Sequence, residues 1–253
     1  TTTAYNAGLE LGLFRGNVNL HVDVYRKETN TLLQFITTPS STGFQRQLRN
    51  SGAVENKGLE ISLDGNLIRH KDFQWKSAFN IAFNRNKILN LGGGLKEQFA
   101  SNISTRDAPF IQVAGQPIGA LYGYLEDGYF DNEAEVRNSP VYTSQPANII
   151  KRMVGEVKYR NLDNDPTAIS LTDRVIIGDV NPDYTFGFTN NFAYKNFDIS
   201  LFINGVQGND IVNMNTAFNG NLGGSKNITE DVLAGAWAEG KDNSNATGPK
   251  AER

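Results

Sequence analysis

The chain has 253 residues, enough for one large domain or two small ones. Its 24 Lys+Arg against 27 Asp+Glu give a formal net charge of -3, so no basic field exists to draw nucleic acid. There is no cysteine, which excludes a disulfide scaffold, a thiolate-bound metal and a cysteine nucleophile. No apolar run reaches the roughly 18 residues of a membrane-spanning helix, but a barrel strand needs only about ten, half of them facing lipid.

From the amino terminus onward the dominant period is two. Leu9, Leu11 and Leu13 alternate with Gly8, Glu10 and Gly12. After Arg15-Gly16-Asn17, Val18, Leu20, Val22 and Val24 alternate with Asn19, His21, Asp23 and Tyr25. Leu59, Ile61 and Leu63 alternate with Glu60, Ser62 and Asp64. Then Phe73, Trp75, Ser77, Phe79, Ile81 and Phe83 alternate with Gln74, Lys76, Ala78, Asn80, Ala82 and Asn84. Tyr184, Phe186 and Phe188 alternate with Thr185, Gly187 and Thr189. The last run sets Phe197, Ile199, Leu201 and Ile203 against Asp198, Ser200, Phe202 and Asn204.

The connections have a rhythm. Arg15-Gly16-Asn17, the region 65–72 and Tyr194-Lys195-Asn196 are short and rich in turn residues. The stretches 29–56, 90–183 and 205 onward are long. Short turns alternating with long loops are the layout of an outer-membrane barrel, whose periplasmic turns are short and whose extracellular loops are long. The expected fold class is therefore all-β, an antiparallel meander forming part of a large transmembrane barrel. The alternative is a soluble β-sandwich, a secreted or surface domain that binds carbohydrate or protein. Against it stand the length of the run from Phe73 towards Leu89 and an opposite face made of Gly, Asn, Ser and Thr rather than Lys and Glu.

Several segments resemble the SusC/RagA-like class of TonB-dependent outer-membrane transporters. Asn50-Ser51-Gly52-Ala53-Val54-Glu55-Asn56-Lys57-Gly58-Leu59-Glu60 is similar to that class's N-x-G-x-x-x-N-x-G-x-E run. Phe73-Gln74-Trp75 followed by Asn80 to Ile88 resembles its next strand. Gly115-Gln116-Pro117-Ile118-Gly119, then Tyr122-Gly123-Tyr124 and Asp127-Gly128-Tyr129-Phe130, is similar to its G-x-P-x-G…YGY…DGxF series. Asp173-Arg174, Ile177-Gly178, Pro182 and Tyr184 to Gly187 resemble the segment before its next hairpin. The order of these segments is the specific signal.

The resemblance implies that 1–253 is a partial barrel domain, a later part of a barrel of about 22 strands, without the plug and last strands, in which 90–183 form a long extracellular loop region. It implies a place in the cell outer membrane among its lipids, and a SusD-like surface lipoprotein as partner. It also implies coupling to the TonB complex through an amino-terminal region not in this chain, and a glycan oligosaccharide or peptide as cargo.

Three groups of residues are candidate sites. Tyr122, Tyr124, Tyr129 and Phe130 offer rings to stack on sugars or peptides; the alternative is packing within a folded loop or against the lipoprotein. Asn161, Asp163, Asp165 and Asp173 resemble a calcium loop, which needs oxygen ligands at alternate positions and a sharp turn. Asn161 and Pro166 depart from that pattern and Ala168 reads as an insertion, so an Asx-rich turn is the alternative. His21 and His70 lie on different hairpins with no ligand partner in sequence. No nucleophile elbow or phosphate loop appears, and acid pairs such as Glu126-Asp127 read as solvated loop residues, so no enzyme and no cofactor other than calcium is expected.

Overall fold

The computed structural model of the chain describes residues 1–38, 40–44, 46–99, 110–139, 141–142, 145–163, 165, 168–213 and 227–250. Six long strands form the main sheet: β1 (Thr2–Leu13), β2 (Val18–Thr37), β3 (Arg46–Arg69), β4 (Phe73–Asn90), β11 (Tyr184–Tyr194) and β12 (Phe197–Gln207). Their order is β1-β2-β3-β4-β11-β12. Every neighbouring pair is antiparallel, so the sheet is the expected meander. Shorter strands β5 (Glu97–Phe99), β6 (Phe110–Val113), β7 (Ala120–Tyr124) and β10 (Arg174–Asp179) make a second sheet in the order β10-β7-β6-β5. A third pairs β8 (Glu126–Tyr129) with β9 (Val157–Tyr159). The short helices are α1 (Glu133–Asn138), α2 (Ala147–Met153) and α3 (Glu230–Ala234).

Register turns the alternation into continuous rows. Leu9, Val22, Ile61, Ile81 and Phe186 stand side by side across five strands. The next row towards the short turns is Leu11, Leu20, Leu63, Phe79, Phe188 and Ile203. Beyond it, Trp75, Phe192 and Ile199 and then Phe73, Tyr194 and Phe197 put aromatic rings at the turn end, as in the girdles of membrane barrels. The opposite face carries Glu10, His21, Ser62, Asn80, Gly187 and Asn204 in one row and Gly8, Asp23, Glu60, Ala82 and Thr185 in another.

The apolar face is open. A sandwich would bury Phe79 and Leu201 between sheets, yet they are 36% and 55% exposed, and Ile199 and Ile203 are exposed as well. In water such a surface would be a large unfavourable patch, whereas against hydrocarbon it is matched. Asn190, a buried polar residue of this face, is also satisfied: it accepts a 2.9 Å hydrogen bond from Trp75 Nε1, and Trp75 stacks on Phe192 at 5.6 Å. An unpaired amide there would be costly in lipid.

The structure lengthens what alternation marked. β2 and β3 stay paired as far as Thr37 and Arg46, so most of the region read as a long connection after Thr29 is a continuing ribbon. The ladder shifts register between Thr29 and Leu32, where Thr31 takes a left-handed φ of 58°, a position that β-branched residues seldom occupy. At the other end, the 65–72 connection shrinks to His70, Lys71 and Asp72 because β3 runs on to Arg69.

Cα proximity divides the chain into two compact units, Thr1–Leu121 with Gly178–Asp210 and Tyr122–Ile177 with Ile211–Arg253. The first contains the six-stranded sheet. Among the described residues no helix is long and apolar enough to cross a membrane.

Candidate functional site

In the first unit, the family-like motifs fasten the ends of the wall. Asn86 accepts from Ile118 N at 2.7 Å and its amide donates to Asn181 Oδ1. Asn181 Nδ2 in turn donates to Ile118 O at 2.7 Å. Ile88 and the 115–116 backbone exchange two hydrogen bonds, so the Gly115–Gly119 loop is clamped to the far end of β4. Arg85 ties β4 to the start of β11 through Asp183 Oδ1 at 2.8 Å and the carbonyls of Pro182 and Asp183. On the polar face Tyr25 lies across Gly58 and donates to Asn84 Oδ1 at 3.0 Å; a Cβ at Gly58 would stand 2.5 Å from that ring. Arg85, Asn86, Ile118 and Pro182 were visible as motif letters and Asn181 and Asp183 were not, and nothing in their spacing says that they hold backbone to backbone.

The second unit has its own small core. Phe130, Val136 and Ile150 are buried together, with Tyr142 edge-on to Phe130 at 5.7 Å. α1 starts where its sequence says it should: Asn132 accepts from Glu135 N at 2.9 Å and Glu135 reaches back to Asp131 N at 2.8 Å, a reciprocal cap. Lys158 on β9 closes on Glu135 at 2.7 Å. Burial pushes the Glu135 carboxyl up. The Lys158 hydrogen bond, the Asp131 N–H and the Lys158 charge outweigh it and leave the group below its ordinary range. Trp237 donates to Asp131 Oδ1 at 3.1 Å and its ring covers Gly155, where φ is 83° and a Cβ would be 2.6 Å from the indole. Lys250 completes this fastening by donating to the carbonyls of Arg152 and Val154.

Two clefts open on this unit. One, of about 660 Å³, is lined by Glu135, Tyr142, Lys158, Tyr159 and Asn161 among others. The other, of about 560 Å³, lies between the β8 end and the segment after α3, with Tyr129, Asp131, Trp237, Asp242 and Asn243 in its wall. Aromatic faces beside carboxylates and amides suit a polar, ring-bearing or peptide ligand.

The four candidate rings go to different places. Phe130 is 2% exposed and belongs to the core, at the wall of the larger cleft. Tyr124 packs against Tyr159 at 5.4 Å and under the Arg174 guanidinium at 4.8 Å. Tyr122 is half-buried. Of the three tyrosines, Tyr129 is the one in the wall of these two clefts; burial first, then the charge and hydrogen bond of Glu126, raise its phenol above the usual value. Sequence reasoning passed over Tyr142, Tyr159 and Trp237, which line the clefts. No alternation or helical periodicity marks Tyr142 or Trp237.

The Asp-rich loop is organised around Asp173. This buried carboxylate accepts from Ser170 N at 2.7 Å, Leu162 N at 2.6 Å and Asp163 N at 3.3 Å. The Ser170 and Leu162 bonds chiefly, with help from Asp163 and against burial, hold it below the usual carboxylate range. Asp163 in turn accepts from Asp165 N at 2.9 Å and from Thr172 Oγ1, and Asn161 Nδ2 donates to the Asp165 carbonyl. The Asp163 and Asp173 carboxylates thus meet protein donors, while Asn161 Oδ1 is buried without a hydrogen-bond partner among the described residues. Among the described residues no group of three or more acidic or histidine side chains converges as a metal site. Asn164 and Pro166 lie outside the described residues.

An antiparallel wall with apolar rows outside, polar rows on the other face, short turns at one end and long connections leaving the other defines a transmembrane β-barrel protein. The family described as TonB dependent receptor-like, beta-barrel, matches residues 1–204, and the chain belongs to that family. It is 35% identical over 219 residues to TonB-dependent receptor P26 of Formosa agariphila, covering 85% of this chain and 21% of that protein. It is 29% identical over 207 residues to TonB-dependent receptor SusC of Bacteroides thetaiotaomicron, covering 79% of this chain and 18% of that one. Its fold matches a structure of the RagAB peptide importer with a TM-score of 0.76 and 23% identity, over 99% of this chain and 26% of the other. The chain thus spans about a fifth of the length of these curated relatives.

Proposed function

We propose that this chain forms part of the wall and outer loops of an outer-membrane transporter that takes up a large nutrient, a glycan oligosaccharide or a peptide, with energy from the TonB complex. The observation that carries the reading is the outward apolar band in a chain of the TonB-dependent receptor family. The relatives named SusC and RagAB support a SusD-like lipoprotein as partner and this class of cargo. On this reading the wall is passive. Its inner face presents Asp23, Glu60, Asn80 and Asn204, which water or a plug can solvate at little cost in a wide barrel. The clefts beside Tyr129, Trp237 and Tyr159 supply contacts to cargo or lipoprotein.

The test is uptake by cells carrying the full-length protein, with labelled oligosaccharides and oligopeptides as separate probes. Import of one class that stops when TonB is deleted is the expected result. Equal import with and without TonB, or none of either class by a correctly inserted barrel, would overturn the reading.

A further inference from the structure

The register places Arg26, Lys57 and Arg85 side by side on β2, β3 and β4. They share the outward face, one row beyond Val24, Leu59 and Phe83, at the end from which the long connections leave. Tyr5 continues the row on β1. Like charges directly opposite in a ladder repel, so three adjacent cations need anions nearby. Arg26 has Glu55 at 2.6 Å and Arg85 has Asp183 at 2.8 Å. The Lys57 side chain, between them, makes no hydrogen bond or ion pair among the described residues, and all three cations are exposed. The next row outward, Glu28, Glu55 and Lys87, adds a further cation beside its two acids.

A second, independent feature adjoins this row. A groove of about 560 Å³ runs from the three cations onto Ala7, Val24, Leu59 and Phe83, and its surface is almost wholly apolar. A cationic rim on an apolar trough has the chemistry of an amphiphile site, with the charge at headgroup level and the trough at the start of the hydrocarbon. The cations stand about 4.8 Å apart from strand to strand, so one tetrahedral anion reaches Lys57 and either neighbour.

We propose that this row binds the phosphate of an acylated lipid in the outer leaflet, with an acyl chain lying in the groove on Val24, Leu59 and Phe83. Lys57 supplies the uncommitted charge, and Arg26 and Arg85 contribute the donors that their carboxylate partners leave open. The inference rests on the membrane reading above but not on what the transporter carries.

The experiment uses the full-length protein, purified in detergent and examined by native mass spectrometry. The probes are diphosphorylated lipid A, the same lipid with its phosphates removed, and inorganic phosphate. The expected result is retention of the phosphorylated lipid over the dephosphorylated one, reduced about fivefold by Lys57→Gln and kept by Lys57→Arg, as loss of one cation near an anionic surface implies. Equal retention of both lipids by the wild type, or no change in Lys57→Gln, would overturn the proposal. Displacement of the lipid by inorganic phosphate at equal concentration would also overturn it, as the mark of a free-anion site. Both substitutions leave the Lys57 backbone pairing in place, and heat-modifiable gel mobility verifies that both variants are folded barrels. Uptake is scored in the same variants. Intact TonB-dependent uptake without lipid selectivity sinks this proposal alone, and lipid selectivity without uptake sinks the transport reading alone.

Discussion

Replacing Phe79 with Arg tests the assignment of the outer face most directly. On β4 the outward residues are Phe73, Trp75, Ser77, Phe79, Ile81 and Phe83. Five two-residue steps of about 6.7 Å, at a strand tilt of about 40°, give a band about 25 Å tall, the height of the apolar belt of an outer-membrane barrel. Phe79 lies within about 3 Å of its middle and Ile81 about 8 Å from it, on the same geometry. An Arg at the midplane should cost about 2–4 kcal/mol. Phe79 also meets Phe188 edge-on at 6.4 Å, and losing that pair adds about 0.5–1.5 kcal/mol. Phe79→Leu removes the ring pair without the charge and separates the two terms. Asn80→Arg, one residue on and facing the polar side beside Ser62, should cost under about 1 kcal/mol. Urea titration of the full-length barrel in lipid vesicles measures all three, and Ile81→Arg should fall between the two Arg variants. Equal costs for Phe79→Arg and Asn80→Arg would refute the two-faced wall.

Three further outcomes are expected. Gly58→Ala drives a Cβ into Tyr25 and the Phe83 carbonyl, 2.5 and 2.6 Å away, and should lower barrel stability by about 1–3 kcal/mol in the same titration. Asn86→Ala strips Ile118 N–H and Asn181 of a partner at a cost of about 1–3 kcal/mol, seen as faster amide exchange across 115–119 while the strands stay protected. Because the folded Glu135 carboxyl titrates below its ordinary value, its pair with Lys158 contributes stability that is complete above that value and lost as pH falls through the folded one. Local opening of α1 should therefore rise on acidification in the wild type, and Lys158→Met should flatten that acid limb.

The sequence was most legible where one face had to meet hydrocarbon and the other water. That requirement writes a period of two, and it located the six wall strands and the sides on which Val22, Ile61, Ile81 and Ile199 lie. Beyond the belt both faces meet water, the demand lapses, and Arg26-Lys27-Glu28-Thr29-Asn30 gives no hint that the ladder continues to Thr37. The loop unit was less legible still. Its core comes from Phe130, Val136 and Ile150, spread over 21 positions of polar chain, and is held by single contacts such as Trp237 to Asp131. Phe130 was read with three tyrosines as one aromatic cluster, because adjacency in sequence cannot tell a core ring from a surface one. In the Asp-rich loop the carboxylates were plain, but whether they face a cation or backbone N–H groups depends on a capping box at Ser170 and Asp173 that only the fold reveals.

The seam between β4 and β11 joins Ala82 to Thr185 and Phe73 to Tyr194, residues about a hundred or more positions apart. The hairpins on either side close over turns of a few residues. Bringing together chain ends about a hundred residues apart costs roughly 4 kcal/mol of loop entropy before any contact compensates, whereas the hairpin turns cost far less. Assembly should therefore run in two stages: the β1–β4 ribbon and the β11–β12 hairpin form early, and their joining is the slow step. Until then β4 and β11 each expose an unpaired edge with an apolar face, the surface most open to mispairing. An intervening segment that gathers around Phe130, Val136 and Ile150 shortens the effective gap and favours correct closure. For the folding chain, the elaborate outer loop is a clasp.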